Sequence, residues 1–168
     1  MPIFNKHKLI FIHIPKTGGS SVEKAFLNKE DKSLFYSETY FINNHSPQHS
    51  TYIELEKLNL LFEDYKIFTI IRHPYERFIS EYNYLYTKNN LEDINNFAKK
   101  FLGSSKNKYN WDNHHLSCSE FIKECKNINI LRYENLQEDF KNFIGFNLLE
   151  HENKGNKIIT LVNLTKKN

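Results

Sequence analysis

LIFIHIPKTGGSSVEKAF, residues 9–26, is the stretch whose reading decides the fold. Leu9 to Ile14 is a short aliphatic and aromatic run that stops at Pro15, the pattern of a strand buried on both faces. Val22, Ala25 and Phe26 then recur at helical spacing, so the residues between them form a loop from strand to helix. Gly18 and Gly19 allow positive φ and close approach of the backbone to a ligand, and the helix N-terminus offers unpaired N–H groups with partial positive charge. Lys16 adds a full charge, while Thr17, Ser20 and Ser21 add hydroxyl groups. Together they describe a cradle for phosphate or sulfate; the competing reading is a plain turn with serine as helix cap. A Walker A loop is excluded because the lysine precedes the glycines, and the GxGxxG dinucleotide fingerprint is absent.

Working outward, the unit recurs. Ile67 to Ile71 is a second strand pattern leading into Arg72-His73-Pro74, with Pro74 in the first turn of a helix that runs through Ser80 to Tyr86. A third strand, Ile128 to Leu131, precedes Arg132-Tyr133-Glu134 and a helix from Leu136 to Phe143. Tyr52 to Phe62 reads as an amphipathic helix, with weaker helix patterns at Leu91–Leu102 and Ser119–Cys125. Strands alternating with helices imply an α/β protein: a P-loop-like three-layer fold with a central, mainly parallel sheet flanked by helices. Arg72 then stands at a strand's C-terminal end, where open α/β sheets bind ligands. Its planar fork suits a second phosphate, and Ser80, on the helix, could donate to the same group. Arg77 is read either as a ligand contact or as a surface ion pair with Glu81, four residues on.

The composition fits one domain over 1–168, its core at about 8–150 and its Lys- and Asn-rich tail from Lys154 unassigned. With 39% hydrophobic and 15% aromatic residues the chain can build a core, and a net charge of +3 without a basic block gives no reason to expect nucleic acid as a partner. Cys118 and Cys125 make no zinc pattern; two free thiols is the first reading and a disulfide between them the alternative. The N-terminus carries no signal-peptide pattern, and no apolar run approaches the roughly 20 residues that span a bilayer, so a soluble, cytoplasmic protein is expected.

IPKTGGSS at 14–21, followed by IIRHPYERFISEY at 70–82, resembles the paired 5′ and 3′ phosphosulfate-binding motifs of sulfotransferases that use 3′-phosphoadenosine 5′-phosphosulfate (PAPS). The likeness is greatest to the carbohydrate and heparan 2-O-sulfotransferase branch, with His73 where Asn or Asp is more familiar. Gln48-His49-Ser50-Thr51 is similar to a His-Ser/Thr segment between the two motifs, and ILRYENLQEDF at 130–140 resembles a later strand and helix. The resemblance implies that Lys16, Thr17, Gly18, Gly19, Ser20 and Ser21 hold the 5′ phosphosulfate, and that Arg72 with Ser80 holds the 3′ phosphate. It implies sulfuryl transfer from PAPS to a hydroxyl of a glycan or glycolipid-type acceptor, with Lys16 stabilising the leaving phosphate. No metal is required by that chemistry, and the sequence shows no ligand cluster.

The acceptor hydroxyl needs a base, and a neutral histidine suits it near pH 7. His49 is the first choice by position and His45 the second, with Glu23 and Glu38 as carboxylate alternatives. His13 reads as a packed strand residue, and His114-His115 as solvated or touching acceptor. Lys108 to Ser117, with Tyr109 and Trp111, is read as an acceptor-binding loop or a solvent loop, and Glu134 and Asn135 as local structural residues. Two alternatives remain: a nucleotide kinase or other phosphate-loop enzyme, and a nucleotide-binding module without catalysis. For a carbohydrate sulfotransferase 168 residues is short, which leaves acceptor recognition compact, borrowed or missing.

Overall fold

Three parallel strands and one antiparallel strand form the sheet of the computed structural model, which describes residues 2–27, 45–89, 93–103 and 112–148. The strands are β1 (Ile3–Phe4), β2 (Leu9–Ile12), β3 (Lys66–Ile71) and β4 (Ile128–Arg132), in spatial order β1-β2-β3-β4. β2 and β3 run parallel with Phe11 opposite Phe68, and β3 and β4 run parallel with Ile70 opposite Leu131. β1 pairs antiparallel with β2 through only two residue pairs, too short a stretch to carry a period-two signal.

Alternation along the strands creates the three layers. Phe11, Phe68, Ile70 and Leu131 face one way and pack with Val22 and Phe26 of α1 (Gly19–Leu27) and Leu136 and Phe140 of α6 (Leu136–Ile144). Ile10 and Ile12 face the other way, against Leu55 of α2 (Tyr52–Lys57) and Phe121 of α5 (Cys118–Phe121). A third cluster joins α3 (Pro74–Asn89) to α4 (Ile94–Gly103) through Tyr82, Leu85, Phe97 and Phe101. Each fully buried side chain of this size stabilises the fold by roughly 1.5–3 kcal/mol, which makes the stacked Phe11–Phe68 pair, 4.7 Å between centroids, a main tie between β2 and β3.

The expected strands and helices are all present, with two helices shorter than their sequence pattern. α2 stops at Lys57 because Asn59 takes φ of 54°, and Leu60 and Leu61 reach the core from an irregular segment. α5 is a single turn that ends at Phe121. Both start on a capping box: Thr51 with Glu54, and Ser117 with Glu120. Cys118 and Cys125 are free thiols. No described helix is long and apolar enough to cross a membrane.

Glu54 gives a pH-dependent prediction. Burial raises its carboxyl, but hydrogen bonds from His45 and Thr51 outweigh burial and hold it at about 2. Burial lowers His45, and the hydrogen bond to Glu54 outweighs that and raises it. The Glu54 contribution is therefore present above its ordinary 4.5 and lost as pH falls towards about 2. The His45 contribution is complete below 6.5 and lost as pH rises through its raised value. Glu54→Gln, which retains the cap, should cost about 1–2 kcal/mol, allowing for solvent screening of this partly exposed carboxylate. Urea midpoints should show the largest gap between wild type and variant in the pH window where both contributions are present, closing in acid.

Candidate functional site

Lys16 and Arg72 follow the C-terminal ends of neighbouring parallel strands, β2 and β3, as the alternation of strands and helices requires. The loop between β2 and α1 turns at Lys16, φ 65°, and again at Gly18, φ 90°. Gly19 has no positive φ, so its conformational freedom is not what the loop uses. A Cβ there would lie 2.2 Å from the His13 ring, so position 19 needs glycine for close approach. A Cβ at Gly18 would meet Leu136 at 3.0 Å and Tyr133 at 3.2 Å, which ties the loop to the start of α6.

Side chains divide between holding the loop and facing outward. The Thr17 hydroxyl donates to the Ile14 carbonyl at 2.8 Å and is fully buried, so it closes the loop, against the expectation of a hydroxyl offered to an anion. Ser20 is exposed and Ser21 half-buried at the start of α1, where the Ser21 N–H donates to the Gly18 carbonyl at 3.1 Å. The Lys16 ammonium sits 4.0 Å over the Tyr84 ring. The Arg72 guanidinium lies 4.0 Å over the Tyr133 ring, and its Nη1 donates to the Lys16 carbonyl at 3.1 Å. Its Nη2 is 3.5 Å from Glu76, and its buried Nε has no hydrogen-bond partner among the described residues. Ser80 is half-buried on α3, three residues after Arg77 and four before Tyr84. Glu134 accepts from the His73 N–H at 2.8 Å, which fixes the entry to α3 and agrees with its structural reading.

Arg77 does not form the surface ion pair. Its guanidinium donates to the carbonyls of Pro15 at 2.9 Å, Leu116 at 2.6 Å and His114 at 3.1 Å, so it clamps the anion loop and the 112–116 turn to α3. Glu81, the partner expected for it, instead accepts from His114 Nδ1 at 2.7 Å. Burial raises the Glu81 carboxyl, but His114, then Lys16 and Arg77, outweigh burial and hold it below the usual range.

A row of buried histidines runs inward from the loop. His13 Nδ1 donates to Glu23 at 2.5 Å, and the amide of Gln48 donates to both Glu23 oxygens at 2.8 and 2.7 Å. Burial raises Glu23, yet these partners hold it low, so it serves as a counter-charge with its oxygens occupied. His45 is occupied as well, one nitrogen on the Ser46 carbonyl and the other on Glu54, which removes the second-choice base. His49 Nδ1 donates to the His13 carbonyl at 3.0 Å, so its Nε2 carries the lone pair. Burial, then the neighbouring His13 and His114, hold His49 well below its ordinary value and hence neutral at pH 7. Asp112 and Asn113, both near φ 60°, form the turn that meets this segment: Asp112 accepts from the Ser46 N–H at 2.6 Å, and Asn113 donates to the His49 carbonyl at 3.0 Å. His49, Asp112 and His114 thereby come together as possible metal ligands, where the sequence showed no cluster. Asp112 carried no sequence signal, because the backbone N–H it accepts from, that of Ser46, lies 66 residues away. Glu38, Tyr109 and Trp111 lie outside the described residues, as does the tail from Lys154.

A parallel α/β sheet with a glycine loop and two cations at adjacent strand ends defines a protein of the phosphate-loop type. A family model described as "Sulfotransferase family" matches residues 1–155. The chain therefore belongs to the sulfotransferase family, whose chemistry is sulfuryl transfer. No curated protein and no solved structure matches it.

Proposed function

We propose that this sulfotransferase moves a sulfuryl group from PAPS to a hydroxyl of a glycan or glycolipid-type acceptor, as in the carbohydrate and heparan 2-O branch. The observation that carries the donor assignment is the hydrogen bond from Arg72 to the Lys16 carbonyl, which couples two cation-bearing strand ends within one site. A nucleotide with phosphates on both sides of its ribose fits such a pair. The buried Arg72 Nε, unpartnered among the described residues, supplies a spare donor for the 3′ phosphate, and Ser80 on α3 supplies a hydroxyl. The backbone N–H groups from Thr17 to Ser20, with Lys16, the exposed Ser20 and the neighbouring Ser21, serve the 5′ phosphosulfate.

In the reaction the acceptor oxygen bonds to sulfur as the sulfur–oxygen bond to the phosphate breaks, and adenosine 3′,5′-bisphosphate leaves. Alignment and charge stabilisation are what a protein contributes to such a transfer. Lys16 stabilises the charge on the leaving oxygen. His49 Nε2 takes the acceptor proton; its neutral state and the tautomer fixed by the His13 carbonyl support that role.

Calorimetry with adenosine 3′,5′-bisphosphate tests the donor. Arg72→Ala should weaken its binding about 10- to 150-fold, the worth of hydrogen bonds to a charged group. Binding of adenosine 5′-phosphosulfate, which lacks the 3′ phosphate, should change much less. Wild type that binds neither nucleotide, or a variant that weakens both equally, would overturn the assignment. Lys16→Met should slow transfer by about 10²–10³-fold, the scale for removing one preorganised charge-stabilising group, measured as sulfate transferred to a glycan panel.

A further inference from the structure

Three side chains from two distant stretches converge beneath the anion loop. His49 Nε2 is 3.6 Å from Asp112 Oδ2, and His114 Nε2 is 3.9 Å from the same oxygen, both beyond hydrogen-bond range. The donor atoms of the three residues all lie within 4.8 Å of one another, and every one of the residues is buried. Donors around a tetrahedral zinc ion, bonded at 2.0–2.1 Å, stand about 3.3 Å apart. Closing the two carboxylate–imidazole gaps therefore takes shifts of a few tenths of an ångström.

The surrounding bonds orient this trio as ligands. His49 gives its Nδ1 proton to the His13 carbonyl, and His114 gives its Nδ1 proton to the Glu81 carboxylate, which turns both Nε2 atoms towards Asp112. Metal-bound histidines use this arrangement, a carbonyl or carboxylate on the far nitrogen to fix tautomer and ring orientation. Asp112 is steadied in turn, because its Oδ1 accepts from the Ser46 N–H and leaves Oδ2 towards the histidines. Asp112 and Asn113 hold consecutive left-handed conformations to bring the carboxylate there. Glu81 is itself 2% exposed, with Oε1 unpartnered among the described residues.

We propose that His49 Nε2, Asp112 Oδ2 and His114 Nε2 bind a divalent transition metal of the zinc and iron(II) class. Two imidazoles and one carboxylate suit these ions, and Mg2+, which favours oxygen donors and water, is excluded by the donor set. Three protein ligands leave further coordination positions to water or a substrate oxygen. Metal on His49 Nε2 takes the lone pair assigned to the base, so a bound ion halts proton acceptance there. That consequence rests on the sulfotransferase reading and on His49 as its base, whereas binding of the ion does not.

The test uses the full, tag-free chain, freed of metal with EDTA and titrated calorimetrically with Zn2+, anaerobically with Fe2+, and with Mg2+. One Zn2+ or Fe2+ per chain is expected, and no heat from Mg2+. Asp112→Asn, nearly isosteric, and His114→Gln should each weaken binding at least 100-fold. Glu81→Gln, which acts through His114, should weaken it about 10- to 100-fold. Circular dichroism on each variant separates lost ligands from lost fold. Wild type without stoichiometric binding, or folded Asp112→Asn and His114→Gln variants that bind like wild type, would overturn the proposal. Zinc that binds without inhibiting transfer would refute only the blocking of His49, and leave the site standing.

Discussion

Arg77→Met should unfold or nearly unfold this protein at 37 °C, although the substituted side chain is of similar length and equally suited to a helix. The guanidinium satisfies three carbonyls, those of Pro15, His114 and Leu116, belonging to two separate loops. Hydrogen bonds to a charged donor are worth about 1.5–3 kcal/mol each. Losing three together, allowing for non-additivity, costs on the order of 4–6 kcal/mol, against a total stability of about 5–15 kcal/mol for a domain. Arg77→Lys should recover only part of this, because a single ammonium cannot span the fork that reaches all three oxygens. Urea unfolding of the two variants checks the order wild type, Lys, Met. A midpoint for Arg77→Met within experimental error of wild type would remove the clamp from the account. Any part of the variant population that stays folded should also bind adenosine 3′,5′-bisphosphate poorly, since Pro15 begins the loop that carries Lys16.

The same residue shows where sequence reasoning stops. Leu9–Ile12, the glycine loop, α1 and Arg72 were all legible because each is a local pattern: a run of apolar residues, a turn, a helical period, a strand end. Side-chain partners were not, because the fold rather than the chain makes them neighbours. Arg77 was four residues from Glu81 and within reach of it on a helix, yet it satisfies carbonyls 37, 39 and 62 residues away. Glu81 turned to His114, 33 residues away, and Asp112 to Ser46 across 66. Unsatisfied buried carbonyls are a tertiary demand, and it outweighs the few tenths of a kcal/mol of an exposed helical ion pair. The bases divide in the same manner: the sequence ranked His49 above His45 by position, and their partners now separate them physically, Glu54 on His45 and the His13 carbonyl on His49. Thr17 was chemically suited to an anion, but its hydroxyl was needed by the Ile14 carbonyl. Of the two glycines, only Gly18 takes a positive φ, and the close approach at Gly19 is to the His13 ring.

Gly19→Ala is the substitution that tests that reason. Were Gly19 present for backbone freedom, alanine would be nearly harmless, since the residue opens α1 without a positive φ, and alanine is the better helix former by about 1 kcal/mol. Close approach demands the opposite. The added Cβ would stand 2.2 Å from two atoms of the His13 ring and 2.8 Å from a third, far inside contact distance. The ring has little room to retreat: Phe11 stacks on it with centroids 5.3 Å apart, His49 meets its edge at 4.7 Å, and its Nδ1 is bound to Glu23. Overpacking of this kind costs about 1–3 kcal/mol when the neighbour can shift. If His13 swings away, Glu23 keeps Gln48 but loses a buried hydrogen bond to its charge, which by itself costs about 1.5–3 kcal/mol. Either route is destabilising by at least about 1 kcal/mol, and the loop that moves to relieve the clash is the one that carries the proposed phosphosulfate contacts. His13→Ala in the same chain should make Gly19→Ala far less costly, because the atoms that clash are gone. A double-mutant cycle by urea unfolding reads this directly, with a coupling of about 1–3 kcal/mol expected between the two positions. Additive effects would mean that the ring and the glycine do not share that space.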